Sequence, residues 1–427
     1  MRDWEETTLG ELIDIKHGYA FKGEFFTEVP NGNALLTPGN FHIGGGFKAD
    51  KFKYYIGDIP EDYVLSPGDV IVTMTDLSKD GDTLGYSARV PESTNRFLHN
   101  QRLGLVSTIS KKADVNFIYW LLRTSPYQKT IVNSCSGSTV KHTSPSKIKD
   151  YKFLLPPITE QVAIDEVLSS FERKIKNLRG QNETLEAIAQ TLFKHWFVDF
   201  EFPNEDGKPY KSSGGAMVRS ELGEIPAGWR VGNMKECLEH LIDNRGKTPE
   251  FFDHGVPALS AKFVKRGDIV NRYSFNYVSQ ELFEQSEKLE MGDVILTSEA
   301  PLGEIYFIAK ETCYYPAQRV FALRANKEVI PCSYLNYWLS SQMGQFQLRR
   351  RASGSTVQGI KQSELYQCEV IIPDKEIQGL VSDVFMKTLV KRETNSQQIQ
   401  TLSQTRDLLL PRLMSGKIRV ESKVKDR

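Results

Sequence analysis

Residues 161–200 read QVAIDEVLSSFERKIKNLRGQNETLEAIAQTLFKHWFVDF, and their apolar side chains recur with a period of seven. The two seam positions of each heptad hold Ile164, Leu168, Phe171, Ile175, Leu178, Asn182, Leu185, Ala189, Leu192 and Trp196. Such a seam predicts a long helix that packs lengthwise on another helix, as in a coiled coil. At 1.5 Å per residue, about 40 residues make a rod of roughly 60 Å. Asn182 is the polar exception, and a buried Asn at such a position fixes the register of a helix pair.

An internal repeat supplies the partner helix. The segment GDVI at 68–71 returns at 292–295, QR at 101–102 returns at 318–319, YWL at 119–121 returns at 337–339, and SGSTV at 136–140 returns unchanged at 353–357. Each copy begins with strand-like runs, at 69–75 and 103–109 in the first copy and at 294–297 and 320–323 in the second. Each copy also contains one helical piece, at 115–122 in the first and 334–339 in the second. Shifting the first seam by 217 residues predicts a second, weaker seam from Val381 to Leu413.

The fold class that follows is α+β, with two pseudo-symmetric modules separated by two long antiparallel helices. The predicted boundaries are 1–158 for module one, 159–200 for the first helix, 201–228 for a Gly- and Pro-rich linker, 229–373 for module two, 374–416 for the second helix and 417–427 for a tail. Antiparallel pairing makes the numbers of facing residues sum to about 577. Asn182 then meets Asn395; the alternative is that the two are unrelated surface residues.

Composition bounds the function and the compartment. The chain of 427 residues carries 54 basic and 54 acidic residues, which argues against a wholly electrostatic nucleic-acid binder but leaves local basic patches open. Five scattered cysteines predict a reducing compartment with neither disulfides nor a zinc site. The polar N-terminus is unlike a signal peptide, and an 18-residue apolar run is absent. We therefore expect a cytoplasmic protein with no membrane span.

Motifs for catalysis are missing from the sequence. It contains neither a glycine-rich cofactor loop nor an Asn-Pro-Pro-aromatic segment of the kind that holds a flipped base. It also lacks the phosphate-binding pattern GxxxxGK[ST], and its histidines have no metal-ligand spacing. Pro373-Asp374 with Glu376 stands where the second module leads into its helix, and is interpreted as helix capping. We expect no catalytic and no metal-binding residues, with the chemistry carried out by partner proteins.

Several segments together resemble the specificity subunit of type I restriction-modification enzymes. They are the repeated SGSTV, FLLPP at 153–157 leading to EQ at 160–161, LFKHWFVDF at 192–200, GKPYKSSGG at 207–215 and LPRLMSGKIRV at 410–420. The resemblance implies two target-recognition domains that each read half of a split duplex DNA sequence, and two helices that space them and carry two methyltransferase subunits. Restriction/translocase subunits complete such complexes, and S-adenosylmethionine, Mg²⁺ and ATP are expected only in partner subunits. The chain departs from the family pattern at two places. The second seam contains the charged residues Arg392 and Arg406, and Ile377-Gln378 stands where the first copy has Glu-Gln.

Residues that could contact DNA are basic, amide or hydroxyl side chains in the repeated or loop segments. The candidates are Lys16, Gln101, Arg102, Ser138, Thr139, Lys141, Arg245, Lys247, Lys262, Gln318, Arg319, Arg350, Arg351, Ser355, Thr356 and Lys361. The repeated SGSTV loop suits a phosphate grip, or is a turn kept for packing. Other candidates also have an alternative interpretation. The run 349–351 is alternatively a solvated helix end, and Lys262 is alternatively a surface residue without contacts. The glutamines are alternatively structural residues that satisfy backbone groups. Because 101–102 and 318–319 enter strands, one residue of each pair is expected to face inward.

The aromatic end of the first helix is the candidate partner-binding site, through Phe193, Trp196, Phe197 and Phe200. A helix that is apolar on most of its surface must be covered by more than one neighbour. That neighbour is a methyltransferase subunit, as the resemblance favours, or the adjacent module of the same chain. A non-DNA scaffold of two binding modules on a coiled-coil strut is the competing hypothesis for the whole protein. If the chain reads DNA, helix length is expected to set the spacing of the half-sites.

Overall fold

The computed structural model describes residues 3–78, 80–246, 248–270, 272–354 and 356–420. The chain forms two compact units, one of Met1–Ile175 with Thr401–Arg427 and the other of Lys176–Gln400. Both divisions lie inside the long helices and not at the module boundaries predicted from the sequence. The reason is that each module packs on a segment of both helices, so that each unit contains a module and a helix pair.

Unit 1 contains the first module. Its strands are β1 (Glu5–Thr8), β2 (Ile13–His17), β3 (Phe26–Thr27), β4 (Asn33–Leu36), β5 (Lys53–Tyr55), β6 (Val64–Leu65), β7 (Val70–Thr73), β8 (Thr75–Asp76), β9 (Ser87–Arg89), β10 (Arg96–His99), β11 (Leu103–Thr108), β12 (Lys141–His142) and β13 (Lys152–Leu155). Its helices are α1 (Val115–Leu121), α2 (Ser125–Ser134), α3 (Pro145–Lys149) and the first part of α4 (Ile158–Phe197). The 3-10 turns are Leu9–Glu11, Gly23–Phe25, Pro38–Asn40 and Glu61–Tyr63.

Two sheets and the buried helix α1 make the core of unit 1. One sheet is antiparallel in the order β2-β11-β7-β9, and the other has the order β3-β5-β4-β10-β6 with β4 and β10 parallel. Helix α1 starts at Asp114, whose carboxylate accepts hydrogen bonds from the backbone N–H groups of Asn116 and Phe117, an N-cap. Phe117 and Trp120 are fully buried beside strand β7, where all residues are buried. The helix thus closes the apolar face of the first sheet.

Unit 2 repeats this plan. Its strands are β14 (Met217–Ser220), β15 (Gly223–Pro226), β16 (Arg230–Asn233), β17 (Leu238–Asp243), β18 (Val256–Leu259), β19 (Val264–Lys265), β20 (Asp268–Ile269), β21 (Tyr277–Val278), β22 (Val294–Thr297), β23 (Ile305–Phe307), β24 (Tyr315–Pro316), β25 (Val320–Ala325) and β26 (Glu369–Ile372). Its helices are α5 (Met234–Cys237), α6 (Gln280–Gln285), α7 (Cys332–Ser340), α8 (Gln342–Arg350), α9 (Gln362–Tyr366) and most of α10 (Lys375–Met414), with 3-10 turns at Ala261–Phe263 and Arg272–Ser274. The sheet β17-β25-β22-β23 matches β2-β11-β7-β9, and the parallel pair β18 and β24 matches β4 and β10.

The structure corrects two predictions about these modules. Each module has a second helix directly after its predicted helical piece, α2 in unit 1 and α8 in unit 2. Segment 201–228 is not a bare linker, because it contains the hairpin of β14 and β15 and buries Phe202. Phe202 stacks between two aromatic rings, 4.5 Å from Tyr210 and 4.9 Å from Trp229 between centroids. Its Gly and Pro residues therefore mark turns of an ordered segment.

The predicted antiparallel register is confirmed in both units. In unit 2 the Asn395 side-chain amide donates to Asn182 Oδ1 at 2.9 Å, and the Arg392 guanidinium pairs with Glu186. In unit 1 Arg406 lies 3.9 Å from Glu172, and Leu410 and Leu413 share a core with Ile164 and Leu168. The two arginines that interrupted the second seam are thus paired with glutamates of the facing helix.

Hydrogen bonds anchor each module to its helix pair. In unit 1 the Trp120 indole donates to Asp165 at 3.0 Å, and the Tyr119 hydroxyl donates to Glu172 at 3.0 Å. In unit 2 the Tyr306 hydroxyl donates to the buried Glu393 at 2.9 Å. Because these donors belong to the modules and the carboxylates to the helices, the contacts fix each module on its rod segment.

The repeated Gln at each helix start has the same structural role. Gln161 Nε2 donates to the carbonyls of Lys112 and Pro156, and Gln378 Nε2 donates to those of Val329 and Pro373. Every partner of Gln378 lies 217 residues after its counterpart, which confirms the repeat at the level of single bonds. The capping interpretation of Asp374 is also confirmed, since its carboxylate accepts from the Ile377 N–H at 2.9 Å.

The chain ends of unit 1 meet at Glu160. Its carboxylate accepts from the Trp4 indole at 3.0 Å and forms two hydrogen bonds with Arg419. Part of the predicted tail is therefore packed against the module, while 421–427 lie outside the described residues. Within the described ranges, α4, α10 and the shorter helices all lack an apolar stretch that could cross a lipid bilayer.

Candidate nucleic-acid interface

Four backbone segments converge in unit 1, and we call them cluster one: 16–19, 74–76, 100–102 and 136–142. Three of them carry candidate residues from the sequence, and 74–76 is the fourth. The Gln101 N–H donates to the Tyr19 carbonyl at 2.9 Å, and the Met74 N–H donates to the Arg102 carbonyl at 2.9 Å. Strand β8, which follows Met74, pairs with β12, where Lys141 faces Asp76. The segment 136–142 closes on itself through reciprocal backbone bonds between Ser136 and His142.

Cluster two, in unit 2, consists of 243–248, 298–303, 318–319 and 353–361. The Ser298 N–H donates to the Arg319 carbonyl at 2.9 Å, and the Ile360 N–H donates to the Ser298 carbonyl at 2.9 Å. Ser353 and Gly359 exchange backbone hydrogen bonds, as Ser136 and His142 do in cluster one. The two clusters therefore share one backbone scaffold.

The glycine of each SGSTV loop is required by the loop itself. Gly137 has φ +92° and Gly354 has φ +111°, a region that side chains with a Cβ rarely adopt. A Cβ at Gly137 would lie 2.0 Å from the Val140 carbonyl oxygen, and one at Gly354 would lie 2.1 Å from that of Val357. The repeat of the glycine thus follows from loop closure. The side chains of Ser138, Thr139 and Thr356 are exposed and are not needed to close the loops, so they are free to contact a ligand.

In cluster one the candidate side chains mostly face solvent. Gln101 and Arg102 are both exposed, so the expected inward and outward alternation is wrong for this pair. The reason is that they form the turn before β11 rather than part of the strand. Lys16 is exposed on β2, and its Nζ donates to the Asp62 carbonyl at 2.7 Å and lies over the Tyr63 ring. Lys141 is partly exposed.

In cluster two, acidic neighbours hold the cations. Arg245 forms a bidentate ion pair with Asp243 and donates to the Ile360 carbonyl at 3.1 Å. Arg319 is exposed and pairs with Glu299, with 2.9 Å between Nε and Oε1. Two cations of cluster two are thus paired with carboxylates of the same cluster.

Amide and basic side chains complete the second cluster. Gln318 is partly exposed, and its amide donates to the Thr248 hydroxyl at 2.5 Å. Lys361 is exposed where α9 begins. Both residues add polar groups that reach solvent to cluster two.

The remaining candidates have different settings. Arg350 is exposed in the last turn of α8, whereas Arg351 is partly buried and lies 3.9 Å from Glu364. Lys262 is exposed on the turn Ala261–Phe263, a stretch that is not one of the four segments of cluster two. Lys247 and Ser355 lie outside the described residues. The basic side chains near cluster two thus differ in how freely they could reach a nucleic acid.

Buried polar groups that the sequence reading missed hold cluster one in place. Asp76 accepts hydrogen bonds from Ser78 and Thr83; burial raises the pKa of Asp76, but these bonds outweigh it and the pKa lies below its ordinary value. His99 is fully buried beside the turn at 100–102, and its Nε2 lies 3.0 Å from the Leu103 carbonyl oxygen. Burial lowers the pKa of His99 from 6.5 to about 4, so its imidazole is neutral at pH 7.

The partner-binding assignment of the aromatic helix end is corrected by the structure. Phe193, Phe197 and Phe200 are buried within unit 2, where they pack with Trp229 and Tyr334. Side chains that are covered by the same unit cannot form a free docking surface. Trp196, the fourth residue of that assignment, is partly exposed and contacts the same core. The alternative given by the sequence, coverage by the adjacent module, is what the structure contains.

Comparisons with known proteins show the family to which the chain belongs. Residues 1–187 and 226–404 match the model of a family described as type I restriction modification DNA specificity domain. The chain belongs to the type I restriction-modification specificity family. Its function is accordingly that of a specificity subunit of a type I restriction-modification system.

Individual relatives cover most of the chain. It is 28% identical over 363 residues to the type I restriction enzyme MjaIX specificity subunit of Methanocaldococcus jannaschii, which covers 79% of this chain and 76% of that protein. It is 24% identical over 385 residues to the EcoBI specificity subunit of Escherichia coli, with 88% and 77% covered. Among solved structures, the S subunit of a type I system from M. genitalium covers 96% of each chain with a TM-score of 0.61 and 15% identity, a likeness of fold.

Proposed function

We propose that cluster one and cluster two each read one half of a bipartite duplex DNA target for a type I restriction-modification complex. The observation that carries this proposal is that the two clusters repeat one backbone scaffold but present different side chains on it. A scaffold in which several backbone hydrogen bonds recur supplies a similar docking geometry twice, while different side chains at its loops can distinguish different base sequences. Arg102 and Arg319 occupy equivalent places, but their neighbours differ.

We also propose that this chain takes no part in catalysis. A methyltransferase needs a cofactor loop and a pocket for the flipped base, and the sequence has neither motif. In this proposal two methyltransferase subunits use S-adenosylmethionine, and restriction/translocase subunits use Mg²⁺ and ATP. This chain would bring them to the DNA site that it recognises.

The methyltransferase docking surface is proposed to lie on the first turns of the two long helices. In unit 1, Ile158 and Val162 stand one turn apart on α4 and are exposed. In unit 2, Leu380 and Val384 stand one turn apart on α10 and are exposed. Each repeat thus presents an exposed apolar pair near the start of its long helix, which fits two copies of one partner.

Charge substitution tests this docking surface. Ile158→Asp with Val162→Asp, or Leu380→Asp with Val384→Asp, is expected to weaken co-purification with the methyltransferase, and combining all four should abolish it. Met291→Asp is the matched control, because Met291 is an exposed apolar residue of unit 2 outside the helices. Unchanged methyltransferase content in the fourfold variant would rule out this surface.

Salt dependence of DNA binding separates the proposed function from that of a non-DNA scaffold. Binding through phosphates weakens steeply as salt rises, because counterions are released from the DNA. The purified chain with its methyltransferase is expected to bind duplex DNA with a steep negative slope of log affinity against log salt concentration. A scaffold that uses the same modules for proteins would have no measurable affinity for the duplex.

We further infer that helix length sets the spacer between the half-sites. Removing one heptad from α4 and the facing heptad from α10 keeps the seam periodicity while shortening both helices by about 10 Å. The folded variant is expected to methylate a motif with a shorter spacer. An unchanged spacer would contradict the inference without touching the assignment of the two clusters.

A further inference from the structure

The backbone at Arg319 adopts a conformation that costs energy for a residue with a side chain. Its φ is +66°, and Ala300, which follows Glu299, has φ +51°. Non-glycine residues rarely occupy this left-handed region, and such strain persists where the surrounding structure enforces it, often at functional sites. Here the bond from the Ser298 N–H to the Arg319 carbonyl holds the turn in place. One strained position is therefore Arg319 itself, and the other directly follows its ion-pair partner Glu299.

The ion pair itself does not account for the strain. The Arg319 and Glu299 side chains are 57% and 40% exposed, and their closest atoms are 2.9 Å apart. Exposed pairs of this kind contribute little to stability because water and salt screen them and both side chains lose conformational freedom. An arrangement that costs backbone strain and returns little stability is better explained by what it presents to a ligand.

Cluster one lacks this arrangement at the equivalent place. Arg102 accepts a bond from the Met74 N–H just as Arg319 accepts one from the Ser298 N–H, so Thr75 stands where unit 2 has Glu299. Arg102 is not among the positive-φ residues of the described chain, and the Thr75 hydroxyl lies 3.2 Å from His142 Nδ1. The carboxylate is therefore a property of cluster two and not of the shared scaffold.

We propose that Glu299 is a specificity-determining residue that orients Arg319 to read a guanine in the second half-site. The ion pair holds the guanidinium on its Nε side, with 2.9 Å between Nε and Glu299 Oε1. It leaves the end edge, where each terminal NH₂ group directs one N–H along the side-chain axis, for bidentate donation to guanine O6 and N7 in the major groove. The negative charge also disfavours a phosphate at this place, so Arg319 contributes to base readout rather than to backbone affinity. This inference rests on the proposed contact between cluster two and DNA.

The test compares methylation by the full chain with its methyltransferase subunit on duplexes altered at single base pairs. In the parent protein, replacing one G·C pair of the second half-site is expected to lower the methylation rate about tenfold to a hundredfold, the range of one bidentate contact. Glu299→Gln keeps the shape and Glu299→Thr installs the residue of cluster one. Both are expected to reduce that discrimination by about threefold or more while still methylating the parental motif, and Arg319→Ala should remove it.

The control is Glu236→Gln, which breaks an ion pair with Arg230 outside cluster two whose side chains are exposed to a similar degree. It is expected to leave discrimination unchanged. Discrimination within about twofold of the parent in both Glu299 variants would overturn the inference, and so would a changed preference at a cytosine, which would mean that the carboxylate contacts the base itself. A parent complex with no sequence-dependent methylation would instead overturn the proposed function on which the inference depends.

Discussion

The contact between Asn182 and Asn395 is expected to be energetically coupled, and a double-mutant cycle with leucine measures that coupling. Asn395 is fully buried, and its amide donates to Asn182 Oδ1 at 2.9 Å and to Gln181 Oε1 at 3.4 Å. Asn182→Leu removes the shorter bond and leaves a buried donor with the longer one, a cost of about 1–2 kcal/mol. Asn395→Leu is less costly, since the Asn182 amide still donates to the Arg392 carbonyl and to Ser396.

The double variant places two leucines in the seam and leaves neither amide behind. It is expected to be less destabilised than the sum of the single variants by about 1–2 kcal/mol. Hydrogen exchange of peptides from 176–200 measures the local opening free energy of this helix segment in the full-length chain. Thr184→Ala, on the exposed side of α4, combined with Asn395→Leu is the control and should be additive. Additivity of the two leucine substitutions within about 0.5 kcal/mol would refute the coupling.

Three further predictions follow from single contacts. The pKa of His99 is about 4 in the folded chain and 6.5 when unperturbed, so its contribution to stability is complete above pH 6.5. That contribution falls by about 3 kcal/mol as the pH drops to 4. His99→Gln should therefore flatten this part of a curve of unfolding free energy against pH, measured by urea unfolding. Gly354→Ala is expected to impair recognition of one half-site and Gly137→Ala that of the other, because each would break the closure of its loop. Gly180→Ala, in α4, is the control and should leave recognition intact and stabilise the helix by up to about 1 kcal/mol. Equal methylation by all three variants would contradict the role of loop closure. Arg392→Met leaves the Glu186 carboxylate without its ion-pair partner in a partly buried seam and should destabilise unit 2 by about 2 kcal/mol. Adding Glu186→Gln to the same chain should restore most of this loss, because the unpaired charge is removed. If the thermal midpoint does not recover, the ion pair does not contribute as described.

Long-range order in this chain could be predicted because it is written as a period and a repeat. The heptad seam specified the helix, the offset of 217 located its partner, and together they placed Asn182 opposite Asn395, as the structure confirms. Strands 103–109 and 294–297 were located closely because runs of β-branched and apolar residues ended at turn residues. These features depend on local side-chain pattern, which the sequence contains explicitly.

Other features depended on contacts that a linear pattern does not contain. Helices α2 and α8 were missed, and α8 has polar Gln and Arg residues where an apolar period would have revealed it. Phe193 and Phe197 were assigned to a partner because the sequence cannot say which of two neighbours covers an apolar face. The sequence does not reveal Glu299, because its ion pair with Arg319 forms only where the backbone at Ser298 bonds to the backbone at Arg319. The candidate loops were located, but the carboxylates that hold their cations became visible only in three dimensions.

Methylome sequencing of cells that express this chain with its methyltransferase subunit is the most direct test of the central claim. The account predicts methylation at one bipartite motif of two specific half-sites around a fixed spacer, present only when this chain is expressed. It also predicts that substitutions in cluster two, such as Arg319→Ala, relax one half of that motif and leave the other half unchanged. Methylation without a chain-dependent motif, or a cluster two variant that alters both halves equally, would contradict the assignment of one half-site to each module.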